Sequence, residues 1–166
     1  MTNPDNLPRF VAINEMSKME HVSSGTFEVV NVTYINQDNA LVGYRYTKAG
    51  ARQVTQRMGF FVLERDSEWR IKSGGETTIN DWLANQYILS VSAINILPSG
   101  EGAVLARIHP SITNLYVTVG GRLLVNLSVR SEFLLFCITT PLEETTIKAI
   151  DEYGVAVQQV AVLHKD

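Results

Sequence analysis

From Tyr87 onward the chain alternates short apolar runs with residues that reverse a backbone, a pattern that restricts this half to antiparallel sheet. The runs are Tyr87–Leu97, Gly102–His109, Asn114–Val119, Arg122–Val129, Phe133–Thr139, Thr145–Asp151 and Val155–Leu163. Such spacing, roughly one strand per 8 to 12 residues, is that of a β-sandwich. Pro98-Ser99-Gly100, Gly120-Gly121, Pro141 and Tyr153-Gly154 stand where reversals are needed. Gly120-Gly121 suits a two-residue primed turn, in which both central residues take positive φ. Residues 85–166 are therefore expected to form an Ig-like antiparallel β-sandwich.

The first half reads differently. Pro4 and Pro8 among polar residues suit a loose tail. Phe10, Ile13, Met16 and Met19, with Val11 nearby, approximate helical spacing in the window Arg9–Met19, and Gly25 then ends that region. Phe27–Ile35 alternates as a strand expected to be buried on much of both faces, Asn36-Gln37-Asp38-Asn39 makes a turn, and Ala40–Thr47 completes a hairpin. Lys48-Ala49-Gly50-Ala51 forms the next turn. Val54–Glu64 and Glu68–Lys72, around Asp66-Ser67, predict a second hairpin. Ser73-Gly74-Gly75 is expected to stop that strand. Thr78-Ile79-Asn80-Asp81 has the spacing of a helix cap, so a brief helix through Trp82 and Leu83 is predicted at the boundary. Residues 1–84 thus read as a small α+β unit with two β-hairpins and a short helix, in a protein that is mainly β.

Composition narrows the function classes. Of 166 residues 45% are hydrophobic and 19% charged, enough to fill a core and too ordinary for global disorder. A formal charge of -3 with scattered basic residues gives no attraction to phosphate backbones, so no nucleic-acid partner is expected. The single cysteine, Cys137, excludes an internal disulfide and lies in the apolar run Phe133–Ile138, where a core thiol is expected. No run of about 18 apolar residues occurs, and Met1-Thr2-Asn3-Pro4-Asp5 lacks the regions of a signal peptide. The chain as written reads as soluble.

No reactive constellation is visible. His21, His109 and His164 lack metal-ligand spacing, and with one cysteine they suggest no zinc site. No serine lies in a Gly-x-Ser-x-Gly turn. Glu64, Asp66 and Glu68 flank a turn and read as a solvated acidic loop, while Gly74-Gly75-Glu76 lacks the lysine and glycines of a phosphate loop. The triplets Asn31 to Thr33 and Asn126 to Ser128 fall in predicted strands and carry no information. Trp69, Trp82, Phe60, Phe61, Tyr44 and Tyr46 offer either core packing or a groove for a peptide or glycan. Tyr44 and Tyr46 share a strand face with Val42, and Arg45 shares the other with Leu41, but alternation does not say which face meets solvent. No catalytic, cofactor-binding or metal-binding residue is assigned, and no cofactor is expected.

Two places carry a resemblance. Gly59-Phe60-Phe61-Val62-Leu63-Glu64, followed by Glu68-Trp69-Arg70-Ile71-Lys72-Ser73-Gly74-Gly75, is one. The other pairs His109-Pro110-Ser111-Ile112-Thr113-Asn114-Leu115-Tyr116-Val117 with Thr145-Thr146-Ile147-Lys148-Ala149-Ile150-Asp151-Glu152-Tyr153-Gly154. Their order resembles an uncharacterised family of small exported or membrane-anchored proteins of Gram-positive bacteria. The resemblance spans residues 27 to 163 and implies an extracytoplasmic location rather than an activity. Members usually follow a membrane helix or lipoprotein leader, which this sequence does not show.

The expected function is therefore non-enzymatic: a binding or scaffolding protein of the bacterial cell envelope whose partner is another protein or an envelope component, engaged by edge-strand pairing. The alternatives are a small-molecule or catalytic pocket, formed where a curved sheet wraps the helix around Phe10 to Met19, or a cytosolic regulatory or phage-derived module.

Overall fold

The computed structural model describes residues 7–19, 25–93, 102–138 and 145–162. His21, His164 and the turns expected at Pro98-Ser99-Gly100 and Pro141 lie outside the described residues, as do most of the tail predicted over residues 1–9 and the predicted ends of three strands. The protein is mainly β, with antiparallel sheets and, among the described residues, one short helix. It divides into two compact units, Met1–Asn80 and Asp81–Asp166.

The first unit is a helix on a four-stranded meander. Helix α1 spans Pro8–Ser17, with proline in its first turn, where a missing N–H costs nothing. Strands β1 (Glu28–Tyr34), β2 (Asn39–Ala49), β3 (Val54–Arg65) and β4 (Trp69–Ile79) pair in sequence order, every neighbour antiparallel. The helix turns Ala12 and Met16 into a core with Val42, Tyr44, Tyr46, Phe61, Leu63 and Trp69. Its buried stripe is thus Pro8, Ala12 and Met16 rather than the predicted Phe10–Met19 face, and Phe10 and Met19 are exposed. A spacing of four residues, continued over two turns, sits nearer the helical period than the three-residue spacing on which that face was drawn.

Three expectations for this unit are corrected. Strand β1 is not buried on both faces: as an outer strand of the meander it is half-buried along its length. Ser73-Gly74-Gly75 does not stop a strand. The β4 ladder runs through it, because long β3 continues to offer partners as far as Gln56↔Ile79. With Thr78 and Ile79 committed to that ladder, Thr78–Asp81 caps no helix, and Trp82 and Leu83 are not helical.

The second unit holds two further antiparallel sheets, three-stranded and four-stranded. Strands β5 (Ile88–Ala93), β6 (Gly102–Ile108) and β9 (Phe133–Ile138) form one in the order β5-β6-β9. Strands β7 (Ile112–Val119), β8 (Arg122–Ser128), β10 (Thr145–Asp151) and β11 (Ala156–Ala161) form the other in the order β11-β10-β7-β8. Alternate residues of both sheets meet in one core that includes Val104, Ile108, Leu115, Val117, Phe136, Ile138 and Ile147. Burying each such side chain stabilises the fold by about 1.5–3 kcal/mol. Gly120 and Gly121 take φ of 57° and 83°, the two positive values that a primed turn between β7 and β8 requires.

Cys137 is half-buried rather than part of that core. Phe136 and Ile138 face the shared core, and period two therefore sends the residue between them to the opposite face.

Candidate functional site

Polar chemistry in the first unit gathers on one rung of the sheet. Tyr44 on β2 pairs with Gly59 on β3, and Gly59 pairs with Glu76 on β4, so the three lie in line across the strands. Gly59 has no side chain to block the path, and the Tyr44 hydroxyl reaches over it to donate to Glu76 Oε2 at 2.9 Å. The next rung supplies Tyr46 and Arg57, paired with each other. The Tyr46 hydroxyl and Arg57 Nε both donate to Glu76 Oε1, each at 2.7 Å. Arg57 also donates through Nη1 to Thr78 Oγ1, a second anchor for the guanidinium.

Glu76 and Arg57 keep about a quarter of their side-chain surface, at 25% and 23%, while both tyrosines are buried. Burial, reinforced by the Glu76 charge and hydrogen bond, raises the Tyr44 hydroxyl well above the usual phenol range. Burial and then the hydrogen bond to Glu76 push Tyr46 up to about 12. Burial is the strongest single influence on Arg57 and works against its charged form, but the hydrogen bond and charge of Glu76, joined by those of Tyr46, together outweigh it and raise that group too.

The shifts have a direct consequence for alkaline stability. A phenol that ionises later in the folded chain contributes stability that is whole below the unfolded value of about 10 and is lost as pH rises through the folded value. Stability measured by urea unfolding should therefore stay level to about pH 9 and then fall steeply through pH 10 to 12. Tyr46→Phe should flatten that fall. If all six tyrosines developed phenolate absorbance in the folded protein near pH 10, the network would not protect these hydroxyls.

Above the network lies a cavity of about 420 Å³ between α1 and the sheet. Met16, Met19, Tyr44, Phe61 and Ile71 give it apolar walls, and Glu15, Glu76 and Ser73 supply polar atoms. Tyr44 and Phe61 pack with ring centroids 4.8 Å apart. Of the aromatic residues considered for a groove, Tyr44 and Phe61 line the cavity and Tyr46 joins the network beside it, while Trp69 shares their core without lining the cavity. Trp69 packs against Tyr34, and Trp82, in the other unit, meets the edge of His109. The sequence reading missed the participation of Glu76 and Arg57. The available signal was the shared i, i+2 spacing of Tyr44 with Tyr46, Arg57 with Gly59, and Glu76 with Thr78.

No family model, curated protein or solved structure matches this chain.

In the second unit the distinctive surface is β8. It ends the strand order of its sheet and is exposed along most of its length, with Leu123, Leu124 and Val125 at 58%, 47% and 39% exposure. Leu124 is the extra residue of a bulge, since Thr118 pairs with Leu123 and Val117 with Val125. From Val125 to Ser128 the strand is regular. Elsewhere His109 Nδ1 accepts the Ser111 N–H at 3.1 Å and lies 2.8 Å from the Ser111 hydroxyl. Both contacts span two residues and describe a local turn. Asp66 and Glu64 reach Arg70 and Lys72 in exposed ion pairs at 3.2 and 3.6 Å, a solvated arrangement. Among the described residues no three His, Cys, Asp or Glu side chains gather to hold a metal ion, and no helix is long and apolar enough to cross a membrane.

Proposed function

We propose that this protein is a non-enzymatic binding or scaffolding component of the bacterial cell envelope, and that an Ig-like sandwich in its second half captures a protein partner along β8. The observation that carries the reading is three consecutive apolar residues exposed on an outer strand. An unpaired strand edge offers a row of N–H and C=O groups to another chain, and natural edges are usually protected by lysine or proline. Strand β8 has neither, its only charge, Arg122, stands at its beginning, and its one protective irregularity, the bulge at Leu124, leaves the stretch from Val125 to Ser128 regular. The regular stretch Val125–Ser128 would supply the main-chain ladder, with exposed Leu123 and Leu124 adding apolar contact. Support for the envelope comes from the resemblance of the two segments described above.

The test is a photo-cross-linking residue at position 124 in living cells, compared with the same protein carrying Leu123→Lys and Val125→Lys. Both positions are exposed, so the lysine variant should keep its stability to within about 1 kcal/mol. It should lose the cross-linked partner. A partner retained by the lysine variant, or no cross-linked product from the original strand, overturns the reading.

A second reading, a small-molecule pocket in the first half, is favoured by the cavity beside Glu76.

A further inference from the structure

We propose that the cavity between α1 and strands β2 to β4 binds an organic cation, a protonated amine carried on an apolar body, with its ammonium group on Glu76 Oε2. This goes beyond the partner-binding role of β8 and stands on a different unit of the chain.

The chemistry of the walls selects the ligand. Among the described residues no Lys, Arg or His lines the cavity, whereas two carboxylates do, so an anion would meet no counter-charge from them. Arg57 covers one side of Glu76 only. Oε1 takes both Arg57 Nε and the Tyr46 hydroxyl, while among the described residues Oε2 takes the Tyr44 hydroxyl alone. A carboxylate oxygen has two acceptor positions, so Oε2 keeps one for a further donor. With Glu15 at the cavity wall, the two carboxylates exceed the single guanidinium by one negative charge.

The rest of the cavity fits the other end of such a molecule. Its volume of about 420 Å³ lies in the range of small-molecule sites. Gly74 keeps the β4 side open, because a Cβ there would come 3.3 Å from Phe61 Cδ1 and 2.5 Å from the Phe60 carbonyl oxygen. The rings of Tyr44 and Phe61 offer π faces to a cation or an aromatic body, and Met16 and Met19 supply thioethers that adapt to shape.

Three probes of matched shape test the proposal on the full chain: 4-phenylbutylamine, 4-phenylbutanol and 4-phenylbutyrate, titrated by calorimetry. The amine should bind at least about tenfold tighter than the alcohol, a difference of about 1.4 kcal/mol, and the carboxylate should not bind. Glu76→Gln should remove that tenfold preference while leaving alcohol binding in place. Methyl resonances of the methionines give a readout that needs no variant. The amine should shift Met16 and Met19 and leave Met58, which does not line the cavity, unmoved. Binding of the carboxylate as tight as the amine, an amine preference that survives Glu76→Gln, methionine shifts elsewhere, or no binding of any probe at millimolar concentration each overturns the proposal.

Discussion

Gly59→Ala should destabilise the first unit by about 3 kcal/mol, although adding a Cβ to a strand glycine ordinarily stabilises by about 0.5–1 kcal/mol. The sign reverses because a Cβ at this position would lie 2.4 Å from the Gly75 carbonyl oxygen and 2.7 Å from the Tyr44 hydroxyl. The first contact is with backbone, and relieving it means opening the β3–β4 ladder. The second means swinging Tyr44 away from Glu76 and from its packing against Phe61 and Phe27. For a unit of this size each kcal/mol lowers Tm by about 4–8 °C, so the loss should be about 12–24 °C. Trp69 lies in the first unit and Trp82 in the second, so Trp82→Phe leaves Trp69 fluorescence to report the first alone. A change smaller than about 0.5 kcal/mol, the range of unremarkable surface substitutions, would show that the rung has room to spare.

The same rung explains why the fold was more legible in the sequence than the site. Strands are written in local alternation, and between residues 102 and 161 each predicted strand has a counterpart within a few residues. The turn glycines carry their own evidence, as Gly120-Gly121 does. The site depends instead on register between strands and on one irregularity. Val62 pairs with Ser73 and Leu63 with Ile71, so Lys72 is an extra residue in β4. Without that bulge, Ile71 would share its face with Ser73 and Gly75, and Glu76 would lie on the face away from the helix. With it, Ile71, Gly74 and Glu76 all line the cavity below α1. Glycine pairs read as punctuation in a sequence, whereas here Gly74 marks close approach to the Phe60 carbonyl. The absence of a side chain at Gly59 likewise becomes meaningful only once Tyr44 and Glu76 are known to be its neighbours.

Glu76 and Arg57 should prove strongly coupled in a double-mutant cycle. Glu76→Ala removes the acceptor shared by Arg57 and two buried hydroxyls, leaving a mostly covered guanidinium and two phenols without their partner. Losing one side of a fully buried pair costs about 3–5 kcal/mol, and the quarter of surface that both groups retain places this change near the lower limit, about 3 kcal/mol. Arg57→Ala should cost about 2 kcal/mol, since Glu76 keeps both tyrosine donors. The double variant should then be more stable than the sum of the two losses by about 1–2 kcal/mol, because it leaves no charge behind. The exposed pairs Arg45–Glu28 and Arg70–Asp66 provide the contrast, with couplings below about 1 kcal/mol. Additive losses at Arg57 and Glu76, measured by urea unfolding, would mean that solvent already screens the pair. Glu76 would then hold its place in the cavity wall through the tyrosines alone, and the orientation of its second oxygen toward a ligand would not depend on Arg57.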